Sequence, residues 1–213
     1  MGEFDLVQQI LLAILPVLLA LTLHEASRAY VANHLGDNTP EIVNRISLNP
    51  LRHIDLIGTV LVPLLTMITG FVFGWGKPVP IDPSKFHNPK RDMLWVASAG
   101  LGANLIMLLV WAILLKLGYS MPVTNDYRTP LLGMCGAGIQ INTVMLVFNL
   151  LPIPPLPGAQ IAISLLPPSL AQPLQRLEPW GMFIILGLML THVLDAILRP
   201  LIKLVYTLVA MLI

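Results

Sequence analysis

Apolar residues run almost unbroken from residue 6 to residue 23, and a helical pattern continues to residue 35 with no turn signal. The second half of that stretch, LTLHEASRAYVANHL, carries a polar cluster. A membrane helix needs about 20 mainly apolar residues. By that measure residues 6–35 form the first of five or six spans. Residues 54–73, 93–117, 131–151 and 179–198 are the next four. Residues 201–213 are too short to cross alone; they extend the fifth span past Pro200 or lie at the interface. The pattern predicts an all-α, multi-pass integral membrane protein. It is a polytopic bundle of about five to six transmembrane helices, in one domain over residues 1–213.

The connections differ in kind. Residues 36–53 hold turn signals at Gly36-Asp37-Asn38 and Asn49-Pro50. Residues 74–92 read GWGKPVPIDPSKFHNPKRD. Their proline-punctuated start, residues 77–81, suits a short extended, hairpin-like segment or edge strand rather than a helix. Residues 119–130 form a polar loop. Residues 152–168 contain LPIPPLPG and LLPP, a proline density that excludes a regular helix. Backbone freed from helical bonding at membrane depth must be buried in protein or face water. Residues 152–158 are therefore expected to line an internal cavity.

Composition sharpens the class. Of 213 residues 56% are hydrophobic and 11% charged, with a mean hydropathy of +0.80, whereas soluble domains carry about 25% charged residues. A formal net charge of +1 supports no nucleic-acid partner. Basic residues are shared too evenly between loops to set the orientation. The lone Cys135 allows no internal disulfide and reads as a small buried residue. The start, Met-Gly-Glu-Phe-Asp, lacks a basic n-region, so the first apolar run is expected to be a retained span.

Ionisable residues deep in an apolar helix are costly and point to function. His24 and Glu25 begin the zinc-protease pattern H-E-x-x-H, but Arg28 stands where the second histidine belongs. Residues four apart share a helix face, so His24 and position 28 would address one metal ion, with Glu25 beside them to activate its water. Arg28 has no lone pair for a metal and is expected to pair with Glu25 three positions away. His34, His53, His87 and His192 lack ligand spacing to His24 and read as surface or interfacial histidines, His192 pairing with Asp195. Asn142 and Asn149 share one face of the fourth span. Such amides usually bond another helix or a freed backbone group; the functional alternative is that Asn149 polarises a bound carbonyl. Asn104, near Gly100 and Ala103, suits close helix packing.

Taken in order, HEAS at residues 24–27, YVANHLGD, ISLNPLRHID with Gly58-Thr59, FGWGKPVP, NPKRD, AGLGANL and NLLPIPPLPG at residues 149–158 cover nearly the whole chain. This chain resembles the site-2 protease family of intramembrane zinc metalloproteases, and most of all its compact bacterial members. The resemblance implies zinc held by two histidines of H-E-x-x-H and by the aspartate of P-P-L-D-G. The glutamate is then the general base, and an asparagine eight residues before the aspartate steadies the oxyanion. Carried over, His24 is the first ligand, Glu25 the base and Asn149 the oxyanion asparagine. The other ligand positions hold Arg28 and Pro157. Lys77, Pro78, Val79 and Pro80 resemble the edge on which an unwound transmembrane or membrane-proximal peptide is laid. Leu101, Leu56 and Ala159-Gln160 also depart from the family's usual residues. With two of three ligands replaced, the resemblance implies an inactive or impaired member that does not bind zinc and serves as a peptide-binding scaffold in a bacterial inner membrane. The alternative is an active metalloendopeptidase completed by Glu25, His53 or a substrate group. A transporter would need paired broken helices in two halves, which the pattern lacks.

Overall fold

The computed structural model describes residues 5–56, 58 and 76–213. Its described residues form two compact units, Leu21–Gly100 and Met1–Ala20 with Leu101–Ile213. Eight α-helices are described: α1 Leu6–His34, α2 Thr39–Ile42, α3 Pro89–Ser120, α4 Arg128–Asn149, α5 Pro157–Leu165, α6 Pro168–Arg176, α7 Gly181–Leu190 and α8 Val193–Ala210. Three of them, α1, α3 and α4, are long and apolar enough to cross a membrane, and the number is four if the bent pair ending in α8 counts as one span. The protein is thus a helical membrane protein. Apart from Ile54, Asp55, Leu56 and Gly58, the second expected span lies outside the described residues, as do Thr59 and residues 73–75.

In the unit Leu21–Gly100, α1 stops where Gly36 takes a φ of +110°. That left-handed conformation costs glycine little. A side chain there would also crowd the Lys85 carbonyl, 3.1 Å from a Cβ. The fully buried Asp37 then organises the turn. Its carboxylate accepts from the Thr39 amide at 2.9 Å and the Asp82 amide at 2.8 Å, with Lys85 Nζ 4.0 Å away. Asp82 in turn caps the 3₁₀ turn Pro83–Lys85. The Ser84 hydroxyl and amide hold its carboxyl below the ordinary carboxylate range. Ala32, Phe86 and Val96 form the core of this unit, with Val31, Leu35, Ile81 and Met93 packed around it.

In the other unit, Leu108, Trp111 and Ala112 of α3 pack with Cys135 and Ile139 of α4 and Val209 of α8. Gly138 permits the approach, because a Cβ there would enter the Trp111 ring. Asn104 and Asn142, both fully buried, fasten α3 to α4. Asn104 Nδ2 donates to Asn142 Oδ1 at 3.0 Å, and Asn142 Nδ2 to the Gly138 carbonyl at 2.9 Å. Inter-helical amide bonds of this kind are the usual use of asparagine in a span.

Two expectations are corrected. The fifth span does not run through residues 179–198. α7 ends at Leu190, His192 adopts a φ of +57°, and α8 leaves at a bend of 83°. The Thr191 hydroxyl donates to the Gly187 carbonyl at 2.8 Å in the last turn before the bend. α8 then continues through Pro200 to Ala210, so residues 201–210 extend a helix rather than form a separate one. Residues 152–168 also include helix, since α5 begins at Pro157. At a first helical position proline's missing N–H costs no bond and its fixed φ suits the helix. α6 starts in the same way, at Pro168.

Candidate active-site cluster

The unit Leu21–Gly100 gathers His24, Glu25 and Arg28 of α1 with the segment 76–80. All three α1 side chains are buried, at 3%, 8% and 7% exposure. Helical spacing puts Glu25 and Arg28 on neighbouring turns. Arg28 Nη1 lies 3.6 Å from Glu25 Oε2, so the expected pair forms. The same Oε2 accepts the Val79 N–H at 3.0 Å. One carboxylate oxygen therefore meets a guanidinium and a backbone amide together.

The neighbourhood of His24 is built by small residues. The Ser27 hydroxyl lies 2.9 Å from the His24 carbonyl and 3.1 Å from the Ala99 carbonyl, linking α1 to α3. A Cβ at Gly100 would sit 2.7 Å from His24 Cε1 and Nε2 and 3.0 Å from Arg28 Cδ. No real side chain tolerates such contacts, so the absent side chain of Gly100 makes room for the imidazole and the arginine stem.

His53, expected at a surface or interface, is instead 1% exposed. Its Nε2 lies 2.8 Å from the Ser47 carbonyl, and its own carbonyl accepts the Lys77 amide at 2.8 Å. Gly76 closes on it, a Cβ there lying 3.2 Å from the His53 carbonyl. His53 thus ties residues 47 and 77 together from the turn that follows Pro50–Arg52. The Asn49-Pro50 signal marks the turn but not the burial of the residue ending it.

Lys77, Pro78, Val79 and Pro80 run without helix or ladder pairing among the described residues. Their backbone donors are spent. Lys77 and Val79 give their amides to His53 and Glu25, and the two prolines have none. The segment is tied to α1 through Val79, and no hydrogen bond among the described residues uses its carbonyls.

Asn149 and Pro157 belong to the other unit. Asn149 Nδ2 donates back to the Met145 carbonyl at 2.9 Å. Pro157 is buried at the start of α5 and supplies no side-chain donor atom. His192 and Asp195 pair at 3.7 Å, as expected, and Arg199 joins them at 3.7 Å.

A catalytic zinc site takes three protein ligands and leaves one position open. Among the described residues no group of three His, Cys, Asp or Glu side chains is placed to hold a metal. Around His24, among the described residues, the donor set is one imidazole and one carboxylate already engaged by Arg28 and Val79. That donor set does not fit a zinc ion.

The protein named "Putative zinc metalloprotease YwhC" of Bacillus subtilis (strain 168) is 34% identical over 192 residues, which span 89% of this chain and 85% of YwhC. The chain belongs to that family. The protein named "Putative zinc metalloprotease Rip2" of Mycolicibacterium smegmatis is 28% identical over 182 residues, covering 84% of this chain and 66% of Rip2. No family model matches the chain, and no solved structure matches it. A member of a family named for zinc proteolysis thus carries an arginine in the middle of its histidine-glutamate cluster.

Proposed function

We propose that this chain is a site-2-protease-like protein of a bacterial plasma membrane in which zinc-dependent peptide hydrolysis is lost or severely impaired. Its remaining function is to hold an extended peptide segment of a membrane-spanning partner. The observation that carries this reading is the buried Arg28–Glu25 contact at 3.6 Å. A guanidinium keeps its charge at any physiological pH and offers no lone pair. It puts a permanent cation where a divalent ion would need a ligand. Without a metal, water is far too weak an acid to ionise near neutral pH, whereas a catalytic zinc lowers its pKa to about 7. Glu25 then has no activated water to serve, and its Oε2 is already an acceptor for Val79. The partner would lie along residues 77–80 and give its amides to the Pro78 and Pro80 carbonyls.

Family membership favours a second reading, an active metalloendopeptidase with replacement ligands. The two separate in liposomes that contain this protein and a transmembrane reporter peptide. With a photoreactive residue in place of Ile81, the scaffold reading expects the reporter to be cross-linked and uncut. Zinc-dependent cleavage that disappears in Glu25→Gln would establish the second reading instead.

A further inference from the structure

Beside the buried cluster, and on the same two helices, lies an open apolar groove of about 540 Å³. Its walls are Tyr30, Val31, His34 and Leu35 of α1 and Trp95, Ser98 and Ala99 of α3. That volume is within the range of small-molecule sites, about 300–1,000 Å³. Residues 30 and 34, like 95 and 99, are one turn apart, so each helix contributes a continuous stripe. The two aromatic side chains stand out from the surface, Tyr30 at 65% and Trp95 at 54% exposure. Exposed tyrosine and tryptophan near the ends of spans mark the level of lipid headgroups.

The alignment of the helices shows which end of the groove faces water. Gly100 sits beside His24 and Arg28, and Val96 packs with Ala32. α1 and α3 therefore run antiparallel here. One further turn along α3 brings Arg91 to the level where α1 ends at His34. Arg91 and His34 are both exposed. Nearby acids do not neutralise this end. Asp37 is turned inward to Thr39, Asp82 and Lys85, and Asp92 accepts the Asn88 amide at 2.8 Å. None of the ion pairs among the described residues takes up Arg91. The groove is thus mainly apolar, framed by aromatic rings, with the exposed Arg91 just beyond its wet end.

We infer that this groove is a binding site for an anionic phospholipid. One acyl chain lies over Val31, Leu35 and Ala99 between the two rings, and the phosphate lies at Arg91 and His34. A zwitterionic lipid satisfies the apolar walls equally well but gains less at the cationic end. Each arginine near an anionic headgroup favours it by a factor of about five.

The test uses the whole protein in neutral mixed micelles. Phosphatidylglycerol and phosphatidylcholine with brominated acyl chains quench tryptophan on contact, so quenching is titrated with each. Wild type should show an about fivefold preference for phosphatidylglycerol, and Trp95→Phe should remove the phosphatidylglycerol-dependent part of the quenching. Arg91→Gln, at a surface position, should bring the two lipids close to parity, while Arg91→Lys keeps the preference. Equal quenching by the two lipids in wild type overturns the inference. So does a preference that survives in Arg91→Gln, or quenching that Trp95→Phe leaves unchanged.

Discussion

Replacing Arg28 with methionine tests the cluster without changing the bulk of its stem. At 3.6 Å and an effective dielectric of about 20, opposite unit charges attract by about 4.6 kcal/mol. Desolvation of both groups cancels much of that, so the intact pair adds little net stability. Breaking it is a different matter. Arg28→Met leaves Glu25 buried at 8% exposure with only the Val79 amide on its Oε2. An uncompensated buried charge costs about 3–5 kcal/mol. Glu25→Gln removes the carboxylate, and the carboxamide oxygen it introduces can still accept from Val79. The double variant Glu25→Gln with Arg28→Met buries neither charge and should return to within about 1 kcal/mol of wild type. The cycle therefore predicts losses that do not add, with a coupling of at least about 2 kcal/mol. Thermal unfolding in detergent reads it. For a chain of this size each kcal/mol moves Tm by about 2–4 °C, so Arg28→Met should fall by about 6–20 °C and the double variant by a few degrees. Arg28→Met as stable as wild type, or a double variant as unstable as Arg28→Met, would refute the argument.

Gly100→Ala forces a methyl to within 2.7 Å of the His24 ring, and overpacking of this kind costs about 1–3 kcal/mol; a lowered Tm together with shifted His24 ring resonances in NMR would register it. Gly158→Ala should be worse, because its Cβ would meet the carbonyls of Leu150 and Leu151, which are backbone and cannot rotate away; an unchanged Tm would show that the close approach at the start of α5 is wrong. Asn104→Leu leaves Asn142 Oδ1 without its 3.0 Å donor, and should lose about 1–3 kcal/mol; Asn104→Leu with Asn142→Leu should recover part of that in the same unfolding assay. On the proposed reading, Arg28→His with Pro157→Asp supplies the ligand types that the resemblance implies at positions 28 and 157, and should raise zinc content toward one per chain by elemental analysis.

The long apolar runs were legible to within a few residues because length and hydropathy alone decide them. α1, α3 and α4 cover the expected stretches. The Arg28–Glu25 and His192–Asp195 pairs were legible as well, since both are local and helix geometry sets their spacing. The break at Thr191-His192 was not. Both sides of it are apolar, and neither glycine nor proline marks the residue that takes the left-handed conformation. Pro157 misled in the opposite direction: proline density reads as disruption, yet a proline at a first turn starts a helix. The tie from Val79 to Glu25 spans 54 positions, and nothing local announces it. His53 shows the same limit, because its burial depends on residues 47 and 77 closing around it.

The reading of this chain as a family member without its metal rests on Arg28 and Pro157, and metal content tests it most directly. Protein purified in detergent without chelator, after growth with supplied zinc, is measured for zinc by mass spectrometry alongside the Arg28→His, Pro157→Asp double variant. The account predicts no stoichiometric zinc in the natural chain. About one zinc per natural chain, released together with any peptide cleavage by a chelator, would contradict it.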